Sequence, residues 1–192
     1  MSTLSLHPML DSGKIHAAGP GFKGGLLQCL CAADKVEVEL HSQTAYAHFC
    51  GCTKCWKPKG AMLSLLSVVP RDKVHVKAHA EKLEIVDRDA VIHRYACKGC
   101  GAHMYGVIEN KDHPFYSLAF VHTELSPQTG WDSPKFSAFV SSVIEAGMPP
   151  ARMGEVRQHL RDLGQEPYDC LSPELMDMIA AHAAKSKGTL AA

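Results

Sequence analysis

The sequence predicts a mainly β domain followed by C-terminal α-helices, and three observations carry that reading. Short runs through the middle of the chain alternate apolar and polar residues at period two. In the last third the apolar spacing lengthens to a helical period. Between the strand-like runs lie three tight cysteine clusters, spaced so that a bound metal would couple ligation to folding.

Residues 1–25 read as an N-terminal arm, interrupted by Pro8, Asp11-Ser12-Gly13 and Gly19-Pro20-Gly21. Residues 26–165 read as the β-rich domain with an appended helix. Within it Val36-Glu37-Val38-Glu39-Leu40 alternates as a half-buried strand should, and Val74-His75-Val76 and Leu83-Glu84-Ile85-Val86 repeat the pattern more briefly. Asp87-Arg88-Asp89 is a turn signal, and residues 61–69, 91–96, 104–108 and 116–121 are further strand candidates. Ser133 and Pro134 then suit the cap and first position of a helix bearing Phe136, Phe139, Val140, Val143 and Ile144 and stopped by Gly147. Val156, Leu160 and Leu163 mark a second helix ending at Gly164. Residues 166–192 read as a helical tail, opened by Ser172-Pro173-Glu174 and carrying Leu175, Met178 and Ile179. The Phe, Met and Leu positions on these helices are expected to be core.

Composition narrows the function. The 192 residues are 46% hydrophobic, enough for a substantial core, and 20 basic residues balance 20 acidic ones. Zero net charge removes the usual electrostatic reason to expect nucleic acid or a membrane surface as partner. The first twenty residues lack a basic start followed by an apolar run, so no secretory signal is expected. The longest apolar stretch, 61–69, is broken by Ser64 and Ser67 and is too short to span a bilayer. A cytoplasmic protein is the expectation, and in a reducing compartment cysteines point to metal or catalysis rather than disulfides.

The clusters are Cys29-x-Cys31, Cys50-x-Cys52-x-x-Cys55 and Cys97-x-x-Cys100. Thiolates at these spacings can bind one metal from a tight turn, and the x-one spacing gives poor disulfide geometry. Gly51, Gly99 and Gly101 would let backbone N–H groups turn toward sulfur. Zinc suits such donors, and an iron–sulfur cluster is the alternative. Seven ligands divide as four plus three. Cys29, Cys31, Cys97 and Cys100 would close a structural site. Cys50, Cys52 and Cys55 would leave a fourth position open, as catalytic zinc does. Spacing alone leaves two alternatives standing: His48 or His103 closing the triplet, or Cys50 and Cys52 pairing with Cys97 and Cys100. Cys170 stands apart and reads as a buried free thiol.

The order of the three clusters resembles that of the glutathione-dependent formaldehyde-activating enzyme family, which includes relatives of centromere protein V. Cys50-Gly51-Cys52-Thr53-Lys54-Cys55 resembles its central motif and Cys97-Lys98-Gly99-Cys100-Gly101 its closing motif. The motif resemblance covers about residues 24–121, and the segment through Thr129-Gly130-Trp131-Asp132 to Glu145 continues it. It implies a zinc-pinned β-tent fold of short antiparallel strands and two zinc ions per chain. It implies a structural zinc on Cys29, Cys31, Cys97 and Cys100, and a catalytic zinc on Cys50, Cys52 and Cys55. The implied reaction, a carbon–sulfur lyase step, condenses formaldehyde with glutathione to S-(hydroxymethyl)glutathione for formaldehyde detoxification.

The residues suit that chemistry. A thiolate adding to a carbonyl carbon transfers no electrons, and the sequence carries neither a G-x-G-x-x-G nor a Walker loop. Three thiolates make zinc electron-rich, so activating a thiol fits better than polarising formaldehyde. Lys54 and Lys57, with Lys59, would offset the site's negative charge or hold glutathione carboxylates, or are simply solvated. Trp56 walls the pocket or caps the core. His122 closes the last strand, where an acid–base role competes with a structural one. The rival functions are a non-catalytic glutathione carrier, a structural zinc interaction domain and a redox switch on the Cys50–Cys55 loop.

Overall fold

The computed structural model describes residues 4–191. Eleven strands form two sheets: β1 (Gly25–Gln28), β2 (Glu37–Leu40), β3 (Ala45–Cys50), β4 (Ser64–Pro70), β5 (Val74–Ala78), β6 (Leu83–Ile85), β7 (His93–Cys97), β8 (His103–Val107), β9 (Leu118–Val121), β10 (Phe136–Ala138) and β11 (Glu166–Pro167). The smaller sheet is antiparallel in the order β1-β2-β5. The larger runs β11-β10-β3-β4-β9-β8-β7-β6. It is antiparallel except where β10 pairs in parallel with β3 and β11. Three α-helices complete the fold: α1 (Pro8–Asp11), α2 (Met153–Asp162) and α3 (Pro173–Ser186). The mainly β class with C-terminal helices expected from the sequence is the architecture observed.

Period-two alternation sorts the larger sheet's side chains onto two faces. Val69, Ala119 and Val121 join Val38 and Leu40 of the smaller sheet in one core. Phe49 and Leu65 pack with Val156 and Leu160 of α2. Leu66, Val68, Leu118 and Phe120 point the other way, into a cavity. On β2 the expected alternation is realised: Val38 and Leu40 are buried while Glu37 and Glu39 are half exposed.

The arm is tied to the domain. Leu6 and Leu10 are fully buried against Phe49, Leu63 and α2. His7 caps α1, its Nδ1 accepting from the Met9 N–H at 3.1 Å. Residues 1–3 of the expected arm, and residue 192 of the expected tail, lie outside the described residues.

Three expectations are corrected. Residues 136–144 are not one α-helix: β10 is followed by Phe139 at φ 53° and a short 3-10 helix, Val140–Ile144. Pairing of Phe136 with His48 and Ala138 with Cys50 satisfies this backbone in the sheet and overrides the local helical spacing. Cys170 is exposed rather than buried. Met178 is 41% exposed, although its neighbour Leu175 is core. The helices anticipated at Val156 and after Ser172 are present, with Gly164 at φ 73° ending the first and Pro173 starting the second. None of the described helices is long and apolar enough to cross a membrane.

Candidate functional site

The first centre forms where β1 ends and β7 turns into β8. Cys29, Cys31, Cys97 and Cys100 bring their sulfur atoms within 4.8 Å of one another. Cys29 and Cys97 are buried, and Cys31 and Cys100 half-buried. The Leu30 N–H donates to Cys100 Sγ at 3.3 Å and the Val36 N–H to Cys29 Sγ at 3.2 Å. Such donors stabilise negative sulfur. Gly99 makes room here: a Cβ on it would lie 2.9 Å from Cys31 Sγ. Hydrogen bonds from Cys29 and Cys97, with burial, push the Cys31 thiol up to about 12. A dication among four sulfurs reverses that preference, so the donor set fits a tetrahedral thiolate-loving metal.

The second cluster sits at the other face of the sheet. Cys50 ends β3, and Cys52 and Cys55 follow in the loop to β4. Cys50 Sγ and Cys55 Sγ are 3.8 Å apart. Among the described residues only the quartet gathers three or more ligand atoms mutually within 4.8 Å; the triplet is looser. The neighbouring Cys50 and Cys55 sulfurs hold the Cys52 thiol far below its usual range, helped by the Lys54 N–H and the Arg94 charge. The neighbouring Cys52 and Cys55 sulfurs, then burial, push Cys50 well above its range.

The loop is braced from two sides. Lys57 Nζ donates to the carbonyls of Cys52 at 2.6 Å and Cys55 at 3.3 Å. The Gly51 N–H donates to Ala138 O at 2.9 Å. A Cβ on Gly51 would meet Phe139 O at 2.2 Å, so only glycine fits. Phe139 itself occupies the left-handed region, a conformation an aromatic residue adopts at a cost of about 1–3 kcal/mol.

All three cysteines line a cavity of about 430 Å³. Lys54 lines it too. Lys57 does not, and neither does Trp56, which packs on the core and meets the His122 ring edge-on at 5.5 Å. Three histidines share the wall. His48 Nδ1–H donates to Tyr46 O at 2.7 Å, leaving Nε2 buried without a partner. His103 Nδ1 is likewise unpartnered. Burial lowers both rings to about 4, so both are neutral at neutral pH. His122 Nδ1–H donates to Leu65 O at 2.9 Å, with Glu124 Oε1 3.8 Å away. Glu124 Oε2 accepts from His7 Nε2 at 2.8 Å, and its Oε1 accepts from the Leu65 N–H at 3.2 Å. Burial alone would raise the Glu124 carboxyl, but the nearby His122 ring and the hydrogen bond from His7 outweigh it and keep the group low.

Sequence reasoning missed Arg94 and the His122–Glu124–His7 chain. Arg94 sits three residues before Cys97 on β7, and alternation would have placed it on the opposite face from that cysteine. No local signal joins His7 to Glu124, which are 117 positions apart.

The family model for glutathione-dependent formaldehyde-activating enzyme matches residues 26–141. A Podospora anserina protein named for this family is 56% identical over 185 residues, covering 96% of this chain and 86% of the relative. A Penicillium rubens protein so named is 53% identical over 184 residues, covering 96% of this chain and 95% of the relative. A solved Rhodobacter sphaeroides structure superposes with a TM-score of 0.42 at 19% identity, over 74% of this chain and 98% of that one. The matched span contains all seven clustered cysteines and the histidines of the cavity, and the chain belongs to the glutathione-dependent formaldehyde-activating enzyme family.

Proposed function

We propose that this protein joins formaldehyde to glutathione, giving S-(hydroxymethyl)glutathione, at the Cys50, Cys52 and Cys55 site. The observation that carries the reading is the contrast between the two cysteine centres. The quartet is a compact four-sulfur set off the cavity, whereas the triplet is a looser three-sulfur set on the cavity wall. The names of the relatives give the same two reactants.

Cys29, Cys31, Cys97 and Cys100 would hold a structural zinc, and Cys50, Cys52 and Cys55 would hold a second one. Bound by those three thiolates, such a zinc would supply the positive charge that lowers a thiol's pKa toward neutral pH. The chain's own groups do the rest. Arg94 and Lys54 place positive charge beside the thiolates and offset their repulsion. Lys57 fixes the loop through two carbonyls. His122 moves the proton. Its Nδ1–H is committed to Leu65 O, so Nε2 presents a lone pair that takes the glutathione thiol proton and returns it to the carbonyl oxygen. Glu124 lies behind the ring, its Oε1 3.8 Å from Nδ1. The S–C bond forms as the C=O π bond opens, and no electron carrier is needed.

The test is exchange NMR on an equilibrium mixture of formaldehyde and glutathione. Wild type should speed interconversion, while Cys52→Ser should abolish that and His122→Gln should slow it about 10²-fold. No acceleration over buffer excludes an enzyme. Glutathione binding without acceleration leaves a carrier, and no binding leaves a zinc-stapled interaction domain.

A further inference from the structure

The cavity is far larger and far less polar than formaldehyde requires. Formaldehyde is little bigger than water, whose share of liquid volume is about 30 Å³, against a cavity of about 430 Å³. Glutathione does not account for the excess. It carries two carboxylates and an ammonium, and the charged groups on the cavity wall are Lys54 and Arg94, both of which accompany the cysteine loop. No acidic side chain among the described residues lines the wall to pair an ammonium. Burying the peptide's charges in the apolar portion would leave them unpaired, which is prohibitive.

That portion is a defined chamber. Tyr46, His48 and Cys50 lie on the cavity face of β3, so the chamber runs at most roughly 13 Å along the strand from the cysteine end. At the Tyr46 end it is roofed by α3. The Tyr46 hydroxyl donates to Glu174 Oε1 at 3.2 Å, and Leu175 and Ile179, one turn apart, pack toward Phe120 and Phe139. Ile92 and Leu118 complete the apolar surround.

We infer that the site takes aliphatic aldehydes longer than formaldehyde, with the carbonyl carbon at the cysteine loop and the hydrocarbon chain in the chamber under α3. The inference rests on the proposed function and names a wider substrate class for the same site. The step is the same addition. The glutathione sulfur bonds to the carbonyl carbon, the C=O π bond breaks, and the thiol proton ends on the oxygen. The product is a 1-hydroxyalkyl thioether of glutathione, with nothing oxidised or reduced.

The experiment titrates the zinc-loaded full chain with S-methyl-, S-propyl- and S-hexylglutathione by calorimetry. Exchange NMR with hexanal runs beside the formaldehyde measurement. Each added methylene should tighten binding about threefold to fourfold, so the hexyl compound should bind more than about a hundredfold tighter than the methyl one. Hexanal exchange should be accelerated. Ile179→Asp, which puts a carboxylate in the chamber, should flatten the chain-length series. A flat or loosening series in the wild type, with S-methylglutathione still bound and formaldehyde exchange still accelerated, overturns this inference and leaves the proposed function standing. Failure of every glutathione compound to bind overturns both.

Discussion

Gly51→Ala should disable the triplet while leaving the quartet intact. The new Cβ would stand 2.2 Å from Phe139 O and 3.1 Å from its carbonyl carbon. That is about 0.8 Å inside the closest approach real Cβ atoms make. The obstructing atom is backbone, fixed by the ladder between β10 and β3 and by the Phe139 N–H bond to Cys170 O. The loop must therefore move, taking Cys50 and Cys52 with it. Overpacking of this kind costs about 1–3 kcal/mol. A displacement near 1 Å at a reacting site costs on the order of 10²-fold in rate. The assay pairs denaturant unfolding with exchange NMR and zinc content. Zinc should fall from two equivalents to one and exchange should drop about 10²-fold, with the fold retained. Gly154→Ala is the matched control, since nothing lies within 4 Å of its added Cβ. In that first turn of α2 alanine should be neutral or stabilise by less than the roughly 1 kcal/mol of a helix interior. Full zinc content and full activity in Gly51→Ala would refute the packing argument.

Further outcomes follow from the same geometry. A competing chelator should remove one zinc equivalent well before the other, because the triplet offers fewer protein ligands; loss of both in a single phase would contradict the four-plus-three division. Burial holds His48 near 4, below the usual 6.5, so its contribution to stability is full above pH 6.5 and is lost as pH falls toward 4. Between pH 7.5 and 5.5 wild type should lose about 1 kcal/mol that His48→Gln retains, measured by denaturation at both values. Lys54→Glu should weaken glutathione binding more at low salt than at high salt, and equal affinity at both would remove Lys54 from recognition.

Much of this was legible because the relevant signals are local. Cysteine spacing is a property of tight turns, so the clusters could be read directly, and the quartet does converge although its halves lie about seventy positions apart. Alternation found β2 because one face of that strand is buried and the other solvated. It missed β3, whose Ala45-Tyr46-Ala47-His48-Phe49-Cys50 lacks β-branched residues and has both faces covered, one by core and one by the cavity. It misassigned β10 because Phe136, Phe139, Val140 and Val143 fit a helical period, while the deciding contacts come from β3, some ninety residues earlier. The cavity was invisible for a related reason. Its wall is assembled from β3, β4, β7, β8, β9 and the distant α3, and no single segment carries its apolar character. Histidines 48, 103 and 122 were each plausible as structural residues, and only their convergence on one wall distinguishes them.

Cadmium-113 NMR on the cadmium-substituted full chain tests the central claim most directly, because the shift reports sulfur coordination at each metal. The account predicts two resonances. One, from Cys29, Cys31, Cys97 and Cys100, should be unmoved by glutathione. The other, from Cys50, Cys52 and Cys55, should shift as a fourth sulfur arrives and should vanish in Cys52→Ser. Two resonances both indifferent to glutathione, or one alone, would contradict an open thiol-binding centre on the cavity wall.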